Sequence, residues 1–464
     1  MARGANGRFT GMRGLKWFYP GMMVKRYIAM VIIGVVIFSV GVVFIIGKNV
    51  PRDVYLFVTG YVRQGVAGFT LAALGAFFII RGIRKLNRRF IDLLNPGMGD
   101  RIVDKLFEDA YLRRGVKIVG IGGGTGMHSL LRGLKEFSAN VTAVVTVSDD
   151  GGSSGKLREE MRILPPGDVR QCLAALADSE TEMVELFQKR FKGDGSLKDH
   201  SVGNILLAAM TEMKGDFYLA VKELSKVLAI RGKVLPSTID PVTLCAELKD
   251  GSVVRGETNV TKSAQPVERV FLSPSHCRAL PEAVDAVMGA DAVVIGPGSL
   301  YTSIIPNLLV PRVRKSAQET KALRIYVCNI MTQPGETDGY TASRHAAEII
   351  KVLGPGSIDV VVVNSSFPVR IINRYRDQGA FPVELDLENV MKLGVRRVVQ
   401  ENLIMEDEVA RHDPAKLASL IVSVLKQERN IPAYQLPPEL DRWIGRFRMV
   451  GQDQRKRRRQ SRFH

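Results

Sequence analysis

Short runs of apolar and β-branched residues recur between residues 116 and 425, and stretches with helical spacing separate them. Runs of four to seven residues without regular polar alternation are typical of strands buried on both faces of a parallel sheet. The pattern therefore predicts a doubly wound α/β domain with a mostly parallel sheet. The predicted strands are Val116–Ile121, Val141–Val147, Ala292–Ile295, Ile325–Asn329 and Val360–Asn364.

A different pattern interrupts this alternation. Thr243–Leu248 and Val253–Thr258 are strand-like runs on either side of Lys249-Asp250-Gly251, which is typical of a tight hairpin turn. We therefore expect a small antiparallel insertion within the domain.

Two apolar stretches precede the domain. Tyr27–Gly47 holds 21 residues without a charge. As a helix it would extend about 30 Å, the thickness of the hydrocarbon core of a bilayer. Gln64–Ile80 is shorter and reaches spanning length only by including Tyr61, Val62 or the flanking arginines. We predict two transmembrane helices; an interfacial hairpin arm is the alternative for the second stretch.

The net charge of +18 is concentrated at the two ends of the chain. Residues 1–95 carry 14 basic and 2 acidic side chains, and residues 440–464 carry 9 and 2, so the residues between them are almost neutral. Basic ends suit anionic lipid better than a nucleic-acid groove, and we expect no nucleic-acid partner. Since the basic residues flank the two spans, the positive-inside rule places both termini and the domain in the cytoplasm of a multi-pass membrane protein.

Cysteine and histidine usage indicates neither disulfides nor zinc. The four cysteines are scattered without a C-x-x-C motif, and the six histidines do not cluster in the sequence. This usage is typical of a reducing compartment.

A glycine-rich connection after the first predicted strand is the most informative motif. It leads to an amphipathic helix expected to begin near Met127, and it consists of Gly122, Gly123, Gly124, Thr125 and Gly126. Glycine lets an oxyanion approach the amide N–H groups of a helix N-terminus, where the dipole favours negative charge. The spacing is not G-x-G-x-x-G, so no ordinary dinucleotide site is predicted. A turn that serves only tight strand–helix packing is the alternative.

Asp149 and Asp150 are expected at the end of the second strand. Adjacent carboxylates there suit two roles, either as oxygen ligands of Mg²⁺ or as acceptors for ribose hydroxyl groups. Mg²⁺ is the one cofactor that the sequence suggests, with Asp149 and Asp150 as its candidate ligands.

Two helix starts carry further candidate residues. Asp168 is predicted to cap a helix whose first turn holds Arg170, a cation at the unfavourable end of the dipole that suggests an anionic partner. Ser201 is predicted to cap the helix that follows His200 and contains Asn204. The alternatives are a surface arginine and capping alone.

Two more polar clusters follow predicted strands, where open α/β sheets bind ligands. Gly298, Ser299 and Tyr301 repeat the glycine-to-helix arrangement and predict a second anion cradle. Thr337 lies in the segment Met331–Asp338, which is too polar for a simple connector.

Taken together, these stretches resemble the gluconeogenesis-factor (YvcK) family of the CofD-like superfamily, in its membrane-attached branch. The resemblance covers residues 115–425 and rests on the strings GGGTGMHSLLRGL, VSDDGGSSGKLR, PPGDVRQCLAALAD, HSVGNILLAA, VLPST, GPGSLYTSIIPNLL and NIMTQPGETDGYTASRH. It implies a Rossmann-like, CofD-like domain that binds a nucleotide-linked ligand. It also implies ligand contacts at Gly122–Gly126, Asp149, Asp150, Asn204, Gly298, Ser299 and Tyr301.

The resemblance leaves two functions open. The YvcK branch implies a UDP-sugar-binding regulator linked to cell-wall precursor flux, cell shape and growth on gluconeogenic carbon sources. Other superfamily members imply the alternative, a Mg²⁺-dependent transferase of the 2-phospho-L-lactate transferase type using a nucleotide-activated substrate. No histidine–carboxylate pair stands out as a general base, so binding is favoured and no catalytic residue is assigned.

We expect a homo-oligomer whose protein partners belong to cell-wall synthesis or its regulation. The expected divisions are a basic cytoplasmic N-terminus (1–26), a transmembrane helix (27–47), an external loop (48–61), a second transmembrane helix (62–80), a basic juxtamembrane segment (81–114), the ligand-binding domain (115–425) and a C-terminal extension with a basic tail (426–464).

Overall fold

The structure is a computed structural model of the chain. It forms two compact units, Met1–Glu108 and Asp109–His464. The predictions for the N-terminal basic segment, the external loop and the basic tail fall outside the described residues. The structure describes residues 24–46, 64–94, 111–178, 182–263, 265–367, 370–406 and 409–429.

The first unit contains helices α1 (Val24–Ile46) and α2 (Gln64–Leu94). By length and composition both could cross a membrane, with candidate spans at Arg26–Ile45 and Val66–Asn87. Helix α2 has no break at residue 80, where the predicted span ends and the juxtamembrane segment begins; it continues to Leu94.

Glycines bring α1 and α2 into direct backbone contact. A Cβ at Gly41 would collide with the backbone of Ala72, and a Cβ at Gly75 would collide with that of Phe38. Large apolar side chains lie on the outside instead, and Phe69 is 72% exposed. Small residues between helices with apolar side chains facing outward are typical of helix pairs in lipid.

The described residues of the second unit form twelve short strands. They are β1 (Ile118–Gly122), β2 (Val141–Val145), β3 (Lys233–Pro236), β4 (Thr243–Leu248), β5 (Val253–Arg255), β6 (Val267–Ser273), β7 (Ala292–Ile295), β8 (Leu323–Val327), β9 (Val360–Asn364), β10 (Arg397–Glu401), β11 (Ile404–Glu406) and β12 (Ala410–His412). Seven of them form a parallel sheet in the order β10-β9-β8-β7-β1-β2-β3. The predicted doubly wound α/β fold is confirmed.

Helices connect these strands. They are α3 (Gly124–Leu134), α4 (Gly152–Met161), α5 (Gly167–Leu176), α6 (Glu182–Gln188), α7 (Val202–Lys214), α8 (Phe217–Val227), α9 (Glu257–Thr261), α10 (Pro281–Met288), α11 (Ile305–Leu309), α12 (Pro311–Glu319), α13 (Ala342–Leu353), α14 (Ile372–Asp377), α15 (Leu387–Lys392) and α16 (Pro414–Arg429). A π-helical turn, Leu300–Ile304, precedes α11.

The order of the strands fixes where ligands can bind. From β1 the chain proceeds through β2 to β3 on one side, and from β7 it proceeds to β10 on the other. The order therefore reverses between β1 and β7. In open α/β sheets the crevice beyond the carboxyl ends of the strands at such a point is the ligand site. We call this place the crevice.

Several predicted boundaries differ from the structure. Helix α3 begins at Gly124, three residues before Met127, although Gly124 itself has a φ of +65°. Strand β2 ends at Val145, so Asp149 lies in the following loop and not at the strand end. The predicted antiparallel insertion is confirmed, since β4 pairs with β5 and β6; its second arm ends at Arg255 because Gly256 has a φ of +93° and begins α9.

Candidate functional site

The two predicted glycine turns meet in the crevice. The Gly296 N–H, just after β7, donates to the Ile121 carbonyl in β1 over 2.9 Å. A Cβ at Gly126 would lie 2.5 Å from the carbonyl oxygen of Pro297. Only glycine fits at this contact, because any side chain would separate the turn after β1 from the turn after β7.

The N-terminus of α3 opens into the same place. Its N-cap residue, Gly123, has no side chain to cap the first N–H groups, and Thr125 is exposed. Gly124 has a φ of +65°, and a Cβ there would meet nothing closer than Ser303 Oγ at 3.7 Å. The first turn of α3 thus has free space beside N–H groups that its N-cap residue does not bond, an arrangement that can bind oxyanions. One of these groups, the Gly124 N–H, is bonded by the side chain of Asp168.

Asp168 does not cap its own helix as predicted. Helix α5 begins at Gly167 with Pro166 as its N-cap residue, and no side chain caps it. The Asp168 carboxylate accepts a hydrogen bond from the Gly124 N–H instead. The reason is tertiary, because α5 packs against α3 and brings this carboxylate to the glycine turn.

Carboxyl groups crowd one side of the crevice. Burial, and to a smaller extent the neighbouring Asp149 carboxylate, raises the pKa of Asp168 to about 7. Burial also raises the pKa of Glu336 to about 7, although the Tyr301 N–H donates to its carboxylate. Glu257 has a pKa of about 9, first because of burial and then because Asp149 and Asp168 repel its charge. We call Asp149, Asp168, Glu257 and Glu336 the acidic wall.

The Asp149 and Asp150 carboxylates accept hydrogen bonds from different donors. Asp149 Oδ1 accepts from the Gly151 N–H over 2.8 Å, and burial raises the pKa of Asp149. Asp150 Oδ1 accepts from the N–H and Oγ1 of Thr258 at 2.9 and 2.8 Å, so that Asp150 holds α9 in place. Within the described ranges, no group of three or more His, Cys, Asp or Glu side chains could hold a metal ion.

A buried hydrogen-bonded chain lies behind this loop and joins several predicted residues. Arg170 Nε donates to Asn204 Oδ1 over 3.0 Å, and Asn204 Nδ2 donates to Ser153 Oγ over 2.9 Å. Ser153 Oγ is 3.0 Å from His200 Nδ1. Ser201 caps α7 through the Asn204 N–H as predicted. Arg170, His200 and Asn204 are therefore brought together beneath the start of α4.

Cationic side chains lie near Asp168 and near α3. Burial lowers the pKa of Arg170 to about 10, and the Asp168 carboxylate partly offsets this. Burial, and to a smaller extent the cations Arg132 and Arg411, lowers the pKa of His128 in α3 to about 4. An anion placed at the start of α3 would therefore lie near a buried guanidinium.

The second glycine turn is clamped by an asparagine. Asn329 Oδ1 accepts from the Gly298 N–H over 3.2 Å, and Asn329 Nδ2 donates to the Gly298 carbonyl over 2.9 Å. Asn307 is fully buried and donates to the Gly122 carbonyl over 3.1 Å. Gly298 has a φ of +154°, a conformation that side chains rarely adopt, so any substitution there strains the backbone as well as the crevice.

Other predicted residues of this region support the loops through their side chains. Ser299 Oγ accepts from Gln333 Nε2 over 2.7 Å, and Thr337 Oγ1 accepts from the Gln333 N–H over 2.9 Å. Tyr301 is 1% exposed, and its hydroxyl is 2.9 Å from that of Tyr340. The Tyr301 ring is therefore packed in the core, while the backbone N–H of Tyr301 donates to the Glu336 carboxylate.

Sequence reasoning missed four residues that shape the crevice, namely Glu257, Glu336, Asn307 and Asn329. Each is supplied by a segment distant in sequence from the first glycine turn. Glu336 and Asn329 lie in or beside strings already singled out, so their polarity was the available signal. Glu257 lies in a segment predicted as strand, where nothing local indicated a buried carboxyl.

Comparison with known proteins identifies the family. A family model described as 2-phospho-L-lactate transferase CofD matches residues 118–404. The chain belongs to the CofD family. It is 48% identical over 312 residues to the gluconeogenesis factor of Bacillus subtilis, a match that covers 67% of this chain and 98% of that protein. It is also 43% identical over 419 residues to a Nostoc protein described as a gluconeogenesis factor, covering 88% of this chain and 91% of that protein.

A solved structure from this group supports the fold. The crystal structure of a UPF0052-family protein from Bacillus halodurans is 44% identical, has a TM-score of 0.64 and covers 66% of this chain and 99% of that chain. The match with the Nostoc relative extends into the N-terminal unit, whereas those with the two Bacillus proteins span about the length of the second unit alone. The CofD-family domain thus occurs with and without an N-terminal unit of this kind.

Proposed function

We propose that this chain is a membrane-tethered regulatory protein that binds a nucleotide-sugar, in particular a UDP-sugar, in the crevice. The observation that carries the proposal is the contact between two glycine turns at the reversal of strand order, beside the start of α3. Backbone N–H groups at such a place favour phosphate oxygens. The buried Arg170 adds a cation on the same side.

The two sides of the crevice suit the two parts of such a ligand. The diphosphate would face the start of α3 and Arg170, beside Asp168, whose pKa of about 7 allows it to be protonated there. The other carboxyls of the acidic wall, those of Asp149, Glu257 and Glu336, would accept hydrogen bonds from the hydroxyl groups of ribose and sugar, because carboxylates are acceptors. A protonated Glu336 could also donate one, since its pKa is about 7. A ligand that is anionic at one end and rich in hydroxyl groups at the other fits this division.

Membrane tethering is the second part of the proposal. Its support is the pair of glycine-packed apolar helices together with the basic residues that flank them. Tethering on the cytoplasmic side would place the domain where lipid-linked cell-wall precursors are made. The relatives named gluconeogenesis factor motivate a role in growth on gluconeogenic carbon sources. Roles in precursor flux and cell shape are part of the proposal through the membrane location. Homo-oligomerisation and protein partners in cell-wall synthesis stay predictions.

A transferase that uses a nucleotide-activated substrate is the second candidate. It is favoured by the family description and by Asp149, whose carboxylate lies beside Gly167 and interacts with Asp168. Mg²⁺ would need phosphate oxygens of the ligand to complete its coordination, since the described residues hold no group of three suitable side chains. When bound, the ion would neutralise phosphate charge during transfer.

One experiment separates the two candidates. The chain would be titrated calorimetrically with UDP-N-acetylglucosamine, with and without Mg²⁺, and the mixture would then be incubated and analysed by chromatography. We expect binding with the ligand recovered unchanged, and weaker binding of uridine because it lacks the diphosphate. Turnover would favour the transferase, and an absence of binding to any UDP-sugar would refute the proposal.

A further inference from the structure

The antiparallel insertion contacts both sides of the crevice. We call β4, β5, α9 and β6 the strap. On one side, both the N–H and Oγ1 of Thr258 donate to Asp150 Oδ1. On the other side, the carbonyl oxygen of Thr261 would lie only 2.6 Å from a Cβ at Gly335. One short helix of the strap therefore bridges the loop after β2 and the loop after β8.

The same helix places a carboxyl group in the crevice. Glu257, the first residue of α9, has its Oε2 atom buried without a hydrogen-bond partner among the described residues. Glu336 Oε2 is also buried without a partner there, and Glu336 is 5% exposed. Unpaired buried oxygens destabilise the docked position of the strap. The Asp150–Thr258 bonds act against this penalty and hold the helix down.

Docking also brings Glu257 beside Asp149 and Asp168, and in this position Glu336 is 5% exposed while the other three carboxyl residues are half-buried. The docked helix narrows the acidic side of the crevice without sealing it, so a movement of α9 would widen the entrance for a ligand. Gly256, with a φ of +93°, lies at the junction between β5 and α9, where a change of backbone angles would move the helix.

We propose that the strap is a closure element, and that its docking on Asp150 controls the entry and release of the ligand. The proposal rests on the proposed function for the identity of the ligand, but the movement can be measured without one. Thr258→Val removes one of the two bonds to Asp150 at nearly constant volume. Thr261→Val is the matched control, because the Thr261 hydroxyl bonds only the Thr258 carbonyl within α9.

The first measurement is hydrogen exchange on the full-length protein in lipid nanodiscs without ligand. We expect Thr258→Val to speed exchange about tenfold or more in residues 256–262. The amides of residues 124–127 should speed up with them, whereas those of β1 and β2 should not change. Exchange equal to that of Thr261→Val, or faster exchange in the strap without a change at the glycine turn, would overturn the proposal.

The second measurement is stopped-flow binding of UDP-N-acetylglucosamine. A closure element predicts that Thr258→Val raises the association and dissociation rate constants together. A change in dissociation alone would indicate a direct ligand contact and would overturn the gating role. If the ligand binds neither protein, the proposed function fails, while the exchange measurement still decides whether the strap closes the crevice.

Discussion

Replacing Glu257 with glutamine tests the electrostatics of the crevice directly. In the folded chain the pKa of Glu257 is about 9, because the side chain is buried beside Asp149 and Asp168, and its ordinary value is 4.5. A carboxyl whose pKa is raised by folding stabilises the protein below its unfolded pKa, and this contribution is lost as the pH rises to the folded pKa. Glu257 should therefore lower the free energy of unfolding between pH 4.5 and pH 9.

The size of the effect follows from linkage. Each pKa unit corresponds to about 1.4 kcal/mol, so raising the pH from 4.5 to 7 should remove about 3 kcal/mol of stability through Glu257 alone. Glutamine has nearly the same volume and does not titrate. Its amide N–H groups would also donate hydrogen bonds to the neighbouring carboxylates, whereas an ionised Glu257 would repel them. Glu257→Gln should thus stabilise the protein by about 3 kcal/mol at pH 7 and by almost nothing at pH 4.5.

Urea unfolding of residues 109–464 at pH 5, 7 and 8 measures this difference. The fragment is a reasonable test object because the Bacillus subtilis relative is matched over 98% of its length by 67% of this chain. Glu185→Gln, at an exposed position of α6, is the control for removing a carboxylate. An equal gain at every pH would show a packing effect. If the difference in unfolding free energy between Glu257→Gln and the wild type does not grow as the pH rises, the protonated Glu257 is refuted.

Three further predictions concern the glycine turn, the buried tyrosine and the membrane unit. Gly124→Ala and Gly215→Ala should each lower the free energy of unfolding by about 1–2 kcal/mol, because both glycines have positive φ. In calorimetric titration only Gly124→Ala should also lose UDP-sugar affinity, by about tenfold or more. Tyr301→Phe should cost about 1 kcal/mol in denaturant unfolding and leave affinity unchanged; lost affinity at unchanged stability would restore Tyr301 as a ligand contact. Gly41→Leu should separate α1 from α2 and lower the melting temperature of the detergent-solubilised chain, whereas Val36→Leu, at a site 57% exposed, should not.

The local sequence was sufficient to predict the bounds of strands in which every residue is buried. Ala292–Ile295 and Val360–Asn364 are strands with the predicted bounds, because each is an apolar run fully enclosed by helices on both faces. Ser201 caps α7 as predicted, since capping depends on residues three positions apart. The glycine turns could be predicted because several glycines directly after a strand are needed mainly where the backbone turns tightly or approaches another group closely.

The partners of the acidic residues could not be found in this way. Asp168 was predicted to cap α5 from its position in sequence, yet α5 packs against α3 and the carboxylate bonds the Gly124 N–H. Asp150 was assigned to the ligand together with Asp149, yet it holds Thr258, which is 108 residues away in the chain. In both cases the local pattern predicted a polar role correctly, and the fold of distant segments decided which atom is bound.

The arrangement of charge in the crevice connects stability with binding. Asp149, Asp168, Glu257 and Glu336 lie close together, and Arg158 and Arg170 offset only part of their burial and repulsion, so the docked strap is less stable than an apolar or amidated crevice would be. A ligand whose hydroxyl groups donate hydrogen bonds to these carboxyls would remove part of the cost of burying them. Its binding would therefore stabilise the docked strap. The same substitution that stabilises the empty protein, Glu257→Gln, should therefore weaken the coupling between ligand binding and strap closure.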